Sequence, residues 1–451
     1  MIDTRRSDAD EIRGPGDEYT YRDPVLSLWQ SAAHFVGTVT LRAVREAEDA
    51  RVHVVRALTA PVHAVHHRAK QLMSSGRHIF SESVDFSGQA GDCAKLAAEF
   101  LLAEMRHNKK DADRIADELR KSVCDIPGWA ECLTQYLKYK AQRGVNPYRA
   151  DQDIEIKISD SVRIAIIGDW GTGERTAINL LEAVRDQKPN LVIHLGDVYY
   201  AGTEDEMDNN FLKICRDAMG PEFPLFSLCG NHDMYSGGAA YYGLLDRIGQ
   251  HTSYFCLRNQ NWQLLAMDTG NRDQNPLTVS TNMTSLHESE IGWLMDKFQT
   301  ADGRKTVLLS HHQLFSPFSS VGDFDHHKKY AYNPNLYSVF RGVLPSVEWW
   351  FWGHEHTLAV YDSYMGLNRG RCVGCSAIPV FRNQQSYTTD ASLETYAPGD
   401  FPTWNLHAQL GNNGTDYNHA FALLELNGKK ASATYWEIPM GGATPQLLLV
   451  E

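Results

Sequence analysis

The feature that most constrains the fold is a series of short apolar runs, each leading directly into a turn. Between these runs lie glycine-rich turns and helical segments such as Thr176–Asp186 and His287–Phe298. This alternation is typical of an α/β domain. The predicted strands are Val162–Ile167, Leu191–Leu195, Leu225–Leu228, Thr252–Leu257, Gln263–Met267, Lys305–Ser310, Val347–Trp352, Ala359–Tyr364 and Ala420–Leu426.

Residues 1–150 have a different pattern. Apolar residues between positions 24 and 75 recur every three or four residues, which predicts a long helix, and Cys93–Val123 continues the helical pattern. We therefore expect a helical N-terminal domain over residues 1–150 and an α/β domain over residues 151–451. The helices could cover the α/β domain or mediate self-association. Alternatively, Ala57–Lys70 could present a weakly basic face to anionic lipid or to a metal, although a structural role is favoured.

The net charge argues against nucleic acid as a partner. The chain has a formal charge of −13, and residues 1–150 hold 22 Lys and Arg against 21 Asp and Glu, which leaves 21 against 35 in residues 151–451. A polyanion would meet net repulsion at the second part of the chain.

The expected localisation is cytoplasmic. No apolar run approaches the roughly 20 residues that a membrane-spanning helix needs, and the first residues are polar. The eight cysteines are scattered through 451 residues, which favours a reducing compartment over a disulfide framework.

Polar side chains that bind metals follow five of the predicted strands. They occur in the turns Gly168-Asp169-Trp170-Gly171, Gly196-Asp197-Val198-Tyr199-Tyr200, Gly230-Asn231-His232-Asp233, Ser310-His311-His312 and Gly353-His354-Glu355-His356. Open α/β sheets place their sites at the carboxyl ends of strands. Singly, such turns are usually helix caps or surface features, but together they supply enough nitrogen and oxygen donors for two adjacent cations.

This ordered series resembles the calcineurin-like metallophosphoesterases and, within them, the purple acid phosphatases, over roughly residues 161–376. The resemblance implies an α/β fold with a β-sandwich flanked by helices. It also implies that Asp169 binds a first metal, that Asp197 bridges two metals and that Asn231 binds the second. His311 and His354 would complete the second site and His356 the first, with His312 as a rival for His311.

One position departs from the wider superfamily. A histidine that commonly follows the first aspartate by two residues is Gly171 in this chain. Purple acid phosphatases take a tyrosine ligand three residues after the bridging aspartate, which is Tyr200. The resemblance therefore implies Fe³⁺ at the Asp169, Tyr200 and His356 site, with Fe²⁺, Zn²⁺ or Mn²⁺ at the Asn231, His311 and His354 site. Alternatively, Tyr200 only packs beside the centre.

The expected reaction is hydrolysis of a small phosphate ester by direct attack of a metal-bound hydroxide. His232 adjoins Asn231 and is the candidate general acid for the leaving group, with Asp233 as the residue that orients its imidazole. Alternatively, His232 only binds a carbonyl group. Two other functions stay open, namely a non-catalytic metal-binding or scaffold module on the same fold and a phosphodiesterase or nuclease.

Overall fold

The computed structural model describes the α/β part of the chain almost completely. The described residues are 146–150, 153–276, 282–322, 328–380, 382, 386–440 and 444–451, with a few isolated positions between 110 and 139. Apart from those isolated positions, which are helical, the helices expected within residues 1–150 lie outside the described residues. Lys138–Glu451 belong to one compact unit.

Two sheets form the framework of the unit that contains the site. The first is mixed, and its strands in spatial order are β1 (Glu155–Lys157), β5 (Phe255–Arg258), β6 (Trp262–Ala266), β7 (Lys305–Leu309), β8 (Val347–Trp352), β10 (Gly370–Val373) and β9 (Leu358–Val360). The second has the order β13 (Gln446–Val450), β12 (Lys430–Ile438), β11 (His419–Asn427), β2 (Ser161–Ile167), β3 (Leu191–His194) and β4 (Leu225–Ser227).

Apolar residues of both sheets share one core. Ile164 and Ile166 of β2 are fully buried in the same cluster as Leu264 of β6 and Phe351 of β8. Burying alternate residues of facing strands in this way is how two sheets form a sandwich. The predicted α/β sandwich is therefore confirmed.

Helices pack against the outer faces of the sheets. Leu180 and Val184, on the apolar face of the first helix, are fully buried against Val192 of β3. The described helices are α1 (Arg175–Asp186), α2 (Glu204–Glu206), α3 (Lys213–Met219), α4 (Ala239–Ile248), α5 (Glu288–Gln299) and α6 (Pro334–Phe340), with a π-helical turn at Met207–Leu212. None of the described helices is both long and apolar enough to cross a membrane.

The strand directions place the polar turns at one edge of the sandwich. β2, β3 and β4 are parallel neighbours in one sheet, and β7 and β8 are parallel neighbours in the other. The carboxyl ends of parallel neighbours lie side by side. The turns after these five strands therefore meet, although their residues are widely separated in the chain.

Candidate metal centre

Three site residues have backbone conformations that are uncommon for residues other than glycine. Asp169, Asp197 and His354 have φ angles of 55°, 76° and 62°. Left-handed conformations at such residues cost about 1–3 kcal/mol each, and they persist where the surrounding structure fixes them. In each case the residue lies two or three positions beyond a strand, so the sharp turn directs its side chain into the centre.

The first group of donor atoms contains Asp169, Tyr199 and His356. The Tyr199 hydroxyl lies 3.0 Å from Asp169 Oδ1 and 3.3 Å from His356 Nε2. His356 Nε2 is in turn 3.4 Å from Asp169 Oδ1. Asp169 is fully buried, and its other oxygen, Oδ2, accepts the backbone N–H of His354 at 2.8 Å.

The second group centres on His311. His311 Nε2 lies 2.9 Å from Asn231 Oδ1, 3.2 Å from His354 Nδ1 and 3.4 Å from Asp197 Oδ2. Asn231 is oriented by its amide, because Asn231 Nδ2 donates to the Tyr235 hydroxyl at 2.6 Å and so leaves Oδ1 directed at His311. Asn231 and His311 are both fully buried.

The chemistry of the second group calls for a cation. His311 Nδ1 lies 3.0 Å from the Leu195 carbonyl, so Nδ1 carries the proton and Nε2 presents a lone pair. Burial and the imidazoles of His312 and His354 hold the pKa of His311 well below its usual range. An unprotonated nitrogen therefore faces the oxygens of Asn231 and Asp197. A metal ion satisfies such a set of lone pairs, so the donor set fits one.

Asp197 connects the two groups. Donor atoms of Asp169, Asp197 and His311 all lie within 4.8 Å of one another. Burial, followed by the neighbouring carboxylates of Asp169 and Asp233, raises the pKa of Asp197 well above its usual range. Two cations would relieve this repulsion between buried carboxylates.

The phenol near the first group is that of Tyr199, the residue before the one expected from the sequence. Backbone groups of Tyr200 also make contacts near the centre: its N–H donates to Glu206 Oε1 and its carbonyl lies 2.7 Å from His232 Nδ1. The structure gives the contact with Asp169 and His356 to Tyr199, and the metal-binding role expected of Tyr200 stays a prediction.

His232 lies inside the centre. Its imidazole is fully buried, with its ring centroid 4.6 Å from that of Tyr199 and 4.7 Å from that of Tyr235. Nδ1 donates to the Tyr200 carbonyl, which fixes the plane of the ring. Burial lowers the pKa of His232 to about 3, so the imidazole is neutral in the metal-free chain.

Asp233 does not orient His232 as the sequence suggested. Asp233 Oδ2 accepts the N–H groups of Gly230 and Asp197 at 2.7 and 3.0 Å, and Oδ1 accepts that of Val198 at 2.9 Å. Burial raises the pKa of Asp233 to about 7 despite these hydrogen bonds. Asp233 therefore fixes the turn that carries Asp197, and the Tyr200 carbonyl orients His232.

His312, the rival of His311, has its ring nitrogens occupied elsewhere. Nδ1 lies 3.0 Å from Thr269 Oγ1 and Nε2 lies 3.2 Å from Asp273 Oδ2. His312 is near enough to His311 and His354 for their donor atoms to form a possible metal-binding group. Both of its nitrogens, however, are engaged with protein atoms, whereas His311 Nε2 faces only other ligand candidates.

Sequence reasoning missed Glu355, which lies between His354 and His356. Its buried carboxylate accepts hydrogen bonds from the hydroxyls of Ser319 at 2.9 Å and Tyr361 at 3.3 Å, and from Ser316. These contacts fasten the turn after β8 to the segment that follows His312. An acidic residue between two ligand histidines is the sequence signal that could have identified it.

Comparison with known proteins agrees with this architecture. Residues 162–358 match the family model described as calcineurin-like phosphoesterase. No curated protein matches the chain.

Several solved structures are similar to part of this chain at low sequence identity. A purple acid phosphatase from yellow lupin (Lupinus luteus) seeds is 15% identical, with a TM-score of 0.43, over 65% of this chain and 53% of that one. The chain thus spans about half the length of the lupin protein. A dimetal phosphatase from Danio rerio is 14% identical, with a TM-score of 0.40, over 64% of this chain and 98% of that one.

Proposed function

Because residues 162–358 match the family model of calcineurin-like phosphoesterases, we propose that this chain is a dinuclear metal-dependent hydrolase of phosphate esters. Asp169, Tyr199 and His356 hold the first metal, and Asn231, His311 and His354 hold the second. Asp197 bridges the two ions. The observation that carries the proposal is the convergence of possible metal-binding atoms on His311 Nε2, at 2.9–3.4 Å from Asn231, His354 and Asp197.

The proposed first metal is Fe³⁺ and the second is Fe²⁺, Zn²⁺ or Mn²⁺. A phenolate is a hard anionic oxygen, and hard ligands favour a trivalent ion. Tyr199 replaces Tyr200 as the proposed phenolate because its hydroxyl lies 3.0 Å from Asp169 Oδ1. The second site, with two imidazoles and an amide oxygen, suits a divalent ion.

When bound, the two ions lower the pKa of a water and neutralise charge on the phosphate. His232 is the proposed general acid for the leaving oxygen. Its Nδ1–H is held by the Tyr200 carbonyl, so Nε2 is the atom that exchanges the proton. An anionic phosphate ester beside the ring favours its protonated form and offsets the effect of burial.

Small phosphate esters are the proposed substrates. The 35 acidic and 21 basic residues of positions 151–451 repel a polyanion, which makes nucleic acid a poor substrate.

A reducing compartment is proposed from the cysteines, because Cys215, Cys229, Cys256, Cys372 and Cys375 are buried free thiols among the described residues. The division into an N-terminal helical domain and a catalytic domain near residue 150 stays a prediction.

Elemental analysis combined with two model substrates tests the proposal. We expect about two metal ions per chain, and hydrolysis of p-nitrophenyl phosphate or of bis(p-nitrophenyl) phosphate that is lost on chelation and restored by metal. The rates on the monoester and the diester rank the two activities. The Asn231→Ala and His311→Ala variants should lose one ion and most of the activity. A chain that binds two ions and hydrolyses neither ester would contradict the catalytic assignment.

A further inference from the structure

His312 packs against both imidazoles of the second group. Its ring centroid is 4.9 Å from that of His311 and 4.3 Å from that of His354, and only 5% of the residue is exposed. The hydrogen bonds of His312 distinguish a metal ligand from a residue that holds the other two imidazoles in place.

Every polar group of His312 has a protein partner. The backbone N–H donates to Thr269 Oγ1 at 3.0 Å, and the carbonyl accepts from Ser310 Oγ at 2.7 Å. Because Thr269 Oγ1 accepts that N–H, its hydroxyl proton is available to His312 Nδ1, also at 3.0 Å. Nε2 then carries the ring proton and donates to Asp273 Oδ2 at 3.2 Å. This arrangement leaves the ring no lone pair for a metal.

His354 depends on this packing more than His311 does. Metal-binding histidines usually donate their second ring N–H to a carbonyl or carboxylate, which fixes the ring. The Leu195 carbonyl does this for His311. In the described part of the chain, the only hydrogen-bond contact of the His354 ring is with His311, so its orientation also depends on the tilted ring of His312, whose centroid lies 4.3 Å away.

We propose that Thr269, Asp273 and His312 are positioning residues for the second metal, named here the His312 clamp. The clamp holds the His312 ring rigidly behind His354 and His311. The two ligand side chains therefore lose less conformational entropy when the ion binds. This inference rests on the proposed function and deepens it. Asp273 is buried, and its Oδ1 has no hydrogen-bond partner among the described residues, so its contact with His312 is its main restraint.

The clamp also explains the polar turn after β6. A polar turn that contains a glycine follows β6, as similar turns follow most of the strands that carry the proposed ligands. Its residues are Asp268, Thr269, Gly270 and Asn271. Gly270 lies so close to Gly230 that a Cβ would overlap the Gly230 carbonyl oxygen. The turn is therefore packed beside the residue preceding Asn231, and it supports the second site from a fourth strand end, besides those of β4, β7 and β8.

The test uses the full chain in its metal-free form and titrates Mn²⁺ or Zn²⁺ by calorimetry, without substrate. Thr269→Val and Asp273→Ala should raise the dissociation constant of the second ion about 10- to 100-fold, the usual cost of losing a partner behind a ligand. Affinity for the first ion should stay unchanged, and kcat should recover at saturating metal.

Thr284→Val is the matched control. Thr284 is a buried threonine whose hydroxyl donates to the carbonyl of Thr269, so its removal disturbs the same turn without touching His312. We expect its metal affinities to stay within about twofold of wild type. Variants at Thr269 and Asp273 that behave like Thr284→Val would overturn the inference.

His312→Phe separates a positioning residue from a ligand. Phenylalanine keeps a ring beside His354 but removes both nitrogen contacts, so the second ion should still bind, with an affinity reduced as in Thr269→Val. Complete loss of the second ion, together with an unaffected Thr269→Val, would identify His312 as a ligand and overturn the clamp. Wild-type protein that binds fewer than two ions would reject the proposed function itself.

Discussion

Gly230 lies directly against Asp197, and a Cβ placed on Gly230 would overlap Asp197 Oδ1. The carboxylate that connects the two donor groups therefore has its position only because residue 230 has no side chain. Asp197 Oδ1 also accepts the backbone N–H of His232 at 3.0 Å, so displacing it disturbs the candidate acid as well.

Gly230→Ala should weaken the binding of both metals and reduce hydrolysis of p-nitrophenyl phosphate by about 10² or more, since misplacing a group by 1 Å can have an effect of this size. Elemental analysis and kinetics measure both effects. Gly243→Ala is the control, because a Cβ at Gly243 in α4 meets no other atom within 4 Å. A fully active Gly230→Ala protein would show that Asp197 does not have to occupy its present position.

The colour of an iron-loaded protein distinguishes Tyr199 from Tyr200 as the metal ligand. A phenolate bound to Fe³⁺ gives a visible charge-transfer band, so Tyr199→Phe should abolish the band, whereas Tyr200→Phe should keep it. Absorption spectra of the two variants at equal iron content provide the measurement, and each variant serves as the other's control. Loss of the band in Tyr200→Phe alone would restore the original assignment from sequence spacing.

His232→Ala should reduce kcat by about 10² or more while the metal content stays normal, because general acid catalysis typically contributes 10²–10⁴-fold. His232 has its ring between those of Tyr199 and Tyr235 and is not one of the proposed ligands. His251→Ala, at an exposed histidine, is the control for the loss of an imidazole. An unchanged kcat would remove His232 from the mechanism.

The main positions of the site could be predicted because each depends on local sequence. Asp169, Asp197, Asn231, His311 and His354 all follow predicted strands, and parallel neighbours bring such positions together. The structure places each of these five residues within 3.4 Å of at least one of the others.

What could not be predicted depends on side-chain direction or on distant contacts. Asp233 is adjacent to His232 in sequence, but successive residues in a helical turn point in different directions, and its carboxylate binds backbone N–H groups instead. The choice between Tyr199 and Tyr200 depends likewise on the path of the backbone after Asp197. The contact between Asp273 and His312 joins positions 39 residues apart, which no spacing rule reveals.

Arg371 and Glu451 form an ion pair away from the candidate metal centre. Arg371 in β10 is almost completely buried, and its guanidinium donates to Glu451 Oε1 at 2.8 Å and to Oε2 at 2.5 Å. Burial alone would raise the pKa of Glu451, but the hydrogen bonds and charge of Arg371 outweigh it, so the pKa lies below its usual value of 4.5.

Because the folded-state pKa of Glu451 is lowered, its contribution to stability is present above about pH 4.5 and is lost as the pH falls through the folded value. Glu451→Gln should therefore lower the free energy of unfolding by about 2 kcal/mol at neutral pH, the usual worth of hydrogen bonds to a charged group, with little effect in acid. Thermal unfolding of both proteins over a range of pH measures this difference, in which the carboxylates common to both proteins cancel.

Glu425→Gln is the control, since Glu425 pairs with Arg163 on the surface, where such pairs contribute about 0–1 kcal/mol. A difference between wild type and Glu451→Gln that stays constant with pH would contradict the assigned ion pair.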